Sequence, residues 1–143
     1  MKILFWNIRG LGGTGRRRQL VELCQQQNPH FVCFQETIKD SFRPRELDSF
    51  ARGYPFFLSW IPPRGHSRGL LVGASKDIVE VVEEEHGEFF QSLHIRNVED
   101  GIAWVLINFY GPVQDDRKAF FLQELLDKIK RTQSPLLVGG NLI

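Results

Sequence analysis

The residues best suited to chemistry are polar side chains that directly follow short apolar stretches. They are Asn7, Glu36, Asn108 with Tyr110, and Asn141. Because ligands collect at the carboxyl ends of strands in α/β sheets, we expect these side chains to meet. A buried carboxylate needs a hydrogen-bond partner or a metal ion, and Mg²⁺ typically takes one or two carboxylates together with water and substrate phosphate. Glu36 with neighbouring asparagines therefore predicts a magnesium site.

Each of these residues also has a plainer interpretation. Glu36 can be an exposed residue at the end of a strand, paired with Lys39. Asn7 can close an Asx-turn, and Tyr110 can pack beside Pro112. The residue types and their spacing leave both interpretations open.

Basic residues form two clusters in a nearly neutral chain. The 143 residues include 18 Lys and Arg against 17 Asp and Glu, a net charge of +1. This balance disfavours a nucleic-acid binder driven by bulk charge. One cluster comprises Arg9 and the three arginines at 16–18, and the other comprises Arg64, His66 and Arg68. Both clusters are candidates for phosphate or DNA contacts, and both can equally be solvated surface.

The pattern of apolar residues and turns predicts an α/β domain in which strands predominate. Strands are expected at 3–7, 30–35, 56–60, 70–74, 78–82, 89–96, 102–109 and from 136, and helices at 16–27, after Pro44 and from Asp115 to Arg131. The first strand–helix–strand unit favours parallel pairing. The five strands between 56 and 109 read as an antiparallel meander.

Composition and motifs exclude several classes of protein. Hydrophobic residues make up 42% of the chain and charged residues 24%, as in globular domains. No apolar run approaches the roughly 20 residues of a membrane span, and the N-terminus lacks a signal-peptide core. Cys24 and Cys33 fit no zinc or disulfide pattern, and no glycine motif for nucleotides occurs. We expect an intracellular protein, nuclear or cytoplasmic, with no membrane partner and no small-molecule cofactor.

Four sequence blocks together resemble the endonuclease/exonuclease/phosphatase superfamily. They are FWNIRGL at 5–11, QET at 35–37, NFYGP at 108–112 and LVGG at 137–140. The closest resemblance is to the N-terminal endonuclease domain of plant LINE-type (non-LTR) retrotransposon polyproteins. It implies an α/β fold, the N-terminal half of a four-layer sandwich of mixed, largely antiparallel sheets with outer helices. Residues 1–143 would then be a truncated domain whose C-terminal half is absent.

The same resemblance implies Mg²⁺-dependent hydrolysis of a DNA phosphodiester, leaving a 3′-hydroxyl. Glu36 would be the metal ligand, Asn7 would support the metal or the phosphate, and Tyr110 would hydrogen-bond the scissile phosphate. Arg9 and Asn108, with the second basic cluster, would contact phosphate or DNA. The oligomeric state is left open.

The chain departs from the family pattern near its end. The family has Gly-Asp-Phe-Asn, whereas here Gly140 is followed directly by Asn141. Either Asp-Phe is deleted and Asn141 is the motif asparagine, or Asn141 replaces the Asp. The family's later Ser-Asp-His segment does not occur either. We therefore expect an impaired or inactive fragment, or alternatively a non-catalytic nucleic-acid or protein binding module, or a fragment of a phosphatase or abasic-site repair nuclease of the superfamily.

Overall fold

The computed structural model describes residues 1–11, 13–38, 55–63 and 68–142. Its elements are β1 (Ile3–Asn7), α1 (Thr14–Gln27), β2 (Phe31–Gln35), β3 (Phe56–Ile61), β4 (Leu70–Ser75), β5 (Val79–His86), β6 (Phe90–Asn97), β7 (Ala103–Tyr110), α2 (Asp115–Arg131) and β8 (Leu136–Asn141). The helix predicted after Pro44 lies outside the described residues. Within the described residues, neither α1 nor α2 combines the length and apolar character that crossing a membrane requires.

The strands form two mixed sheets, each of four strands. The first has the order β1-β2-β4-β3 and the second the order β5-β6-β7-β8. β1 runs parallel to β2 and β7 parallel to β8, while the other neighbours are antiparallel. The predicted α/β class and the parallel pairing of the first two strands are confirmed.

The single meander predicted for the strands between 56 and 109 is wrong. β3 and β4 belong to the first sheet, and only β5, β6 and β7 form a meander, in the second sheet. The physical reason lies in β2, whose five residues are all buried. A buried strand needs hydrogen-bonding neighbours on both edges, so β4 pairs with β2 rather than with β5.

Successive side chains of β2 point alternately to the two faces of the first sheet. Phe31 and Cys33 point into the core between the sheets, where they belong to one cluster with Leu93 and Leu106 of the second sheet. The next residues along, Val32 and Phe34, face α1; its Leu20 completes that cluster. On the far side, Phe121 of α2 packs on Phe89, Val105, Ile107 and Phe109. The order is therefore helix, sheet, sheet, helix, as the resemblance implies.

The two described helices differ in how their ends are stabilised. α1 begins at Thr14, two residues before its predicted start. Its N-cap is Gly13, and it has no acidic residue in its first turn and no basic residue in its last. α2 carries Asp115 and Asp116 in its first turn. Its last turn carries Lys128, Lys130 and Arg131, so charges at both ends complement the helix dipole.

A charged cluster attaches α2 to the outer face of the second sheet. Lys128, only 1% exposed, donates from Nζ to Glu85 Oε1 at 3.2 Å and to His94 Nε2 at 3.0 Å. Arg131 pairs with both oxygens of Glu85. Hydrogen bonds from Arg131, opposed by burial and aided by Lys128, bring the pKa of Glu85 down to about 2. The cluster therefore depends on an ionised Glu85.

We expect Glu85→Gln to lower the free energy of unfolding at pH 7 by about 1 to 2 kcal/mol, allowing for partial exposure of the carboxylate. The folded pKa lies below the unfolded value. The stabilisation is therefore present above pH 4.5 and is lost as pH falls towards 2. Urea unfolding between pH 7 and pH 3 measures this, with the exposed Glu84→Gln as control. An equal deficit at both pH values would contradict a role for the Glu85 charge.

Candidate functional site

The carboxyl ends of four strands converge at one end of the two sheets. Asn7 of β1 lies opposite Gln35 of β2 in the first sheet, and Tyr110 of β7 lies opposite Asn141 of β8 in the second. The Tyr110 hydroxyl donates a 2.6 Å hydrogen bond to Oε1 of Glu36, the residue after β2. This bond connects the two sheets at the place where the sequence predicts the site.

Backbone hydrogen bonds hold Glu36 in an unusual conformation. Its φ of +55° lies in the left-handed region, which non-glycine residues rarely adopt. The Gly10 N–H donates to the Glu36 carbonyl at 2.7 Å, and the next N–H, of Thr37, donates to the Gly69 carbonyl at 3.3 Å. Gly69 has a φ of +95°, and a Cβ there would meet Thr37 Oγ1. Residues after β1 and before β4 thus position the carboxylate.

The Glu36 side chain is buried but charged. Arg68 Nη1 lies 3.2 Å from Oε1, the same oxygen that accepts from Tyr110. Burial raises the pKa of Glu36, but the hydrogen bonds from Tyr110 and Arg68, with the Arg68 charge, outweigh burial and lower the pKa overall. Glu36 is therefore a carboxylate at neutral pH, suited to bind a cation rather than to deliver a proton.

Tyr110 is held in its protonated form. The side chain is 2% exposed, and burial, followed by the hydrogen bond and charge of Glu36, raises its pKa to about 12. A nearby positive charge on Arg9 acts weakly in the opposite direction. The phenol is consequently a hydrogen-bond donor at neutral pH and not a base.

Asn7 lies beside the carboxylate with part of its amide unused. Its Oδ1 accepts from the Arg9 N–H at 3.3 Å, which is the Asx-turn of the plainer interpretation. Its Nδ2 is buried and has no hydrogen-bond partner among the described residues. The Asn7 side chain nevertheless faces the Glu36 carboxylate as a donor, outside ordinary hydrogen-bond geometry, and lowers the pKa of Glu36 less than Tyr110 and Arg68 do. An amide nitrogen is a donor only, so the unused Nδ2 suits a phosphate oxygen, whereas a metal ion would be bound through the second lone pair of Oδ1.

These residues fit a loosely held Mg²⁺ ion. Within residues 1–11, 13–38, 55–63 and 68–142, no group of three or more His, Cys, Asp or Glu side chains comes together to hold a metal. Both described hydrogen bonds to the Glu36 carboxylate end on Oε1. Mg²⁺ keeps several waters and uses few carboxylates, so Glu36 with the Asn7 amide is an adequate protein share. Arg68, with a side chain 57% exposed, has room to turn away.

The remaining predicted residues have different surroundings. Asn141 lies at the end of β8, where its carbonyl accepts from the Gly111 N–H at 2.8 Å. Arg9 is exposed next to the site. Arg64 and His66 lie outside the described residues, as does Lys39, the partner suggested for Glu36. Arg68, predicted to contact phosphate, pairs with Glu36 instead.

The position of Asn108 does not agree with its predicted contact to phosphate or DNA. The side chain is 0% exposed, and both ends of its amide are hydrogen-bonded within the protein. Its partners include Gln35 and Gln91, two buried residues that the sequence analysis did not single out. The available signal was a glutamine ending an apolar strand, because a buried amide requires a partner.

Comparison with known proteins finds a family match. The profile of the Endonuclease/Exonuclease/phosphatase family matches residues 4–142. A search of curated proteins finds no match.

Solved structures share the fold at low sequence identity. They include a mannosyl-6-phosphatase from Bacteroides thetaiotaomicron VPI-5482 (12% identity, TM-score 0.67, covering 98% of this chain and 64% of that one). The human Nocturnin catalytic domain with bound sulfate is similar (17%, 0.67, 98% and 62%). So is D. rerio TDP2 complexed with a single-strand DNA product (18%, 0.65, 96% and 58%). The chain thus spans about three-fifths of the length of these three structures.

We expect Tyr110→Phe to raise the pKa of Glu36, because the strongest hydrogen bond that lowers it is removed while burial remains. The side-chain carboxyl signal of Glu36, followed by ¹³C NMR through an acid titration, measures the change. Phe109→Leu, next along β7, is the control and is expected to leave the pKa in place. An unchanged pKa in Tyr110→Phe would show that the phenol does not stabilise the carboxylate.

Proposed function

Because the chain belongs to the endonuclease/exonuclease/phosphatase family, we propose that it is part of a Mg²⁺-dependent DNA endonuclease that hydrolyses a phosphodiester bond. The observation that carries the proposal is the contact of Tyr110 with Glu36, with Asn7 beside them, at the meeting of four strand ends. Family members generally use divalent metals. The Glu36 carboxylate with Asn7 Oδ1 suits one metal, and the unused Asn7 Nδ2 and the neutral phenol are donors that suit one phosphate.

Each residue of the site has a distinct task in the proposed reaction. Glu36 and Asn7 would hold Mg²⁺, which when bound neutralises charge on the phosphoryl oxygens. Tyr110 remains protonated at neutral pH but has a single proton, so it would turn its hydroxyl from Glu36 to a phosphate oxygen once Glu36 binds the metal, and would so fix the phosphate beside Glu36. Arg68 would leave Glu36 when the metal binds. Its positive charge, with that of the exposed Arg9, would then attract the phosphates of the substrate to the site.

The finer identity that we propose is the retrotransposon type of endonuclease. It is supported by the sequence blocks FWNIRGL, QET and NFYGP, which resemble plant LINE-type polyproteins. The runner-up is a phosphatase or an abasic-site repair nuclease, since one structure of the same fold is a mannosyl-6-phosphatase. A fusion of residues 1–143 to the C-terminal part of a LINE-type endonuclease, assayed on supercoiled DNA, abasic DNA and sugar phosphates, separates these possibilities.

We further propose that residues 1–143 by themselves turn over slowly. Glu36 is the one carboxylate among the described residues of the site, and the LVGGN segment has no Asp to orient a water molecule. Loss of a general base or of the group that orients it typically costs several orders of magnitude in rate.

A nicking assay on supercoiled plasmid with Mg²⁺ tests the proposal. We expect little nicking by residues 1–143. Strong nicking is expected after Asp-Phe is inserted between Gly140 and Asn141 and the C-terminal part of a LINE-type endonuclease is fused. In that fusion, Glu36→Ala should lower the rate by roughly 10² to 10⁴, because a metal ligand is lost. The exposed Glu84→Ala is the control.

Two outcomes of this assay would contradict us. Robust nicking by residues 1–143 that Glu36→Ala abolishes would remove the claim of impairment. A fused domain that is active regardless of Glu36 would remove the claim of the site.

Binding of DNA without turnover is the second candidate, favoured by exposed arginines around a site with a single carboxylate. Arg9 and Arg18 are exposed, and Arg16 stacks on Trp6 at 5.6 Å from the ring centre.

We expect DNA affinity to fall steeply with salt and to fall further in the double variant Arg9→Glu with Arg18→Glu. Fluorescence anisotropy with a labelled oligonucleotide measures both effects, with Arg96→Glu on β6 as control. Absence of binding at low salt rejects this candidate.

A further inference from the structure

Three amide side chains lie buried between the two sheets: Gln35, Gln91 and Asn108, which we call the amide cluster. Their exposed fractions are 2%, 1% and 0%. Gln35 Nε2 donates to Asn108 Oδ1 at 2.8 Å, and Asn108 Nδ2 donates to Gln91 Oε1 at 3.0 Å. The cluster therefore runs as one chain of hydrogen bonds from β2 through β7 to β6.

The cluster also binds the backbone of the first sheet. Asn108 Nδ2 lies 3.1 Å from the Phe34 carbonyl and 3.3 Å from that of Leu71. Gln91 Nε2 donates to the Ser59 carbonyl at 3.3 Å. These contacts reach β2, β4 and β3 of the first sheet from side chains of the second. Apolar side chains would fill the same space, but hydrogen bonds are directional and fix the lateral position of one sheet on the other.

The position of the cluster along the chain connects it to the site. Gln35 directly precedes Glu36, and Asn108 lies two residues before Tyr110, on the same side of β7. β2 and β7 belong to different sheets, so no ladder of backbone hydrogen bonds sets their relative position. Side-chain contacts must set it instead.

We propose that the amide cluster places Tyr110 against Glu36, with Asn108 as its central positioning residue. This inference rests on the proposed function only in treating Glu36 and Tyr110 as the reacting site. The cluster fixes the position of β7 relative to β2. It does so through Gln35 and Asn108, which lie one and two residues before Glu36 and Tyr110. The phenol consequently reaches Glu36 Oε1 at 2.6 Å.

The test uses Tyr110 itself as the reporter. The chain has two tyrosines, so ¹³C-tyrosine labelling in a Tyr54→Phe background gives a single ring signal. In that background, Glu36→Gln gives the reference position of the ring signal, that mark being the position expected when Tyr110 no longer donates to a carboxylate. We expect Asn108→Leu, of similar volume and without an amide, to move the Tyr110 signal towards that mark.

Two further variants keep the test decisive. Gln91→Met removes one partner of Asn108 without touching β2, and it decides the matter where Asn108→Leu does not fold. Ile107→Ala is the matched control, because Ile107 is equally buried and adjacent but belongs to the core under α2. It should lower the urea midpoint at least as much as the amide variants while leaving the Tyr110 signal in place.

The inference is overturned if the amide variants lower stability but leave the Tyr110 signal at its wild-type position. It is equally overturned if Ile107→Ala moves the signal as far as they do. The readout involves no turnover, so failure of the nicking assay leaves this result intact, and failure here leaves the nicking prediction standing.

Discussion

The hydrogen bond from Tyr110 to Glu36 is the contact on which the rest of the site depends. It joins two strand ends that belong to different sheets, and it does so with both side chains buried. A carboxylate in such a place would be neutralised by burial unless donors stabilised its charge. Tyr110 and Arg68 supply them, so Glu36 stays ionised while Tyr110 stays protonated. The arrangement thus keeps a negative charge where the strand ends meet.

Two kinds of constraint keep this contact in place. The first is local, because Glu36 is held at a positive φ by backbone hydrogen bonds to the segments after β1 and before β4. Left-handed backbone at a non-glycine residue persists only where the surroundings enforce it. The second is the packing of the sheets. At the same end of the sandwich, a Cβ on Gly139 of β8 would meet the ring of Phe5 of β1, so the two sheets approach closely there. The hydrogen bond at Glu36 and the close packing at Gly139 therefore both join the two sheets at the same end.

Structures that share this fold differ in the function that their descriptions give them. The low-identity structures share the fold with this chain while their printed descriptions range from a phosphatase to a protein bound to a DNA product. A fold that serves different substrates must place its specificity in loops and in parts beyond the strand ends. This chain spans only about three-fifths of the three structures reported, and the segments 39–54 and 64–67 are not described.

Local pattern was sufficient for most elements. Alternating or continuous apolar residues located eight strands, and the charges at its ends located α2. The blocks around Asn7, Glu36 and Tyr110 indicated which strand ends come together. Three features depended on long-range pairing instead. β4 joins β2 rather than β5, Arg68 rather than Lys39 meets Glu36, and Asn108 turns inward to Gln35 and Gln91 rather than outward to a phosphate. Each is a choice among partners far apart in the chain. Only the packing of one sheet on the other makes that choice, because burial requires every polar group to find a partner and the tertiary structure determines which partner is near.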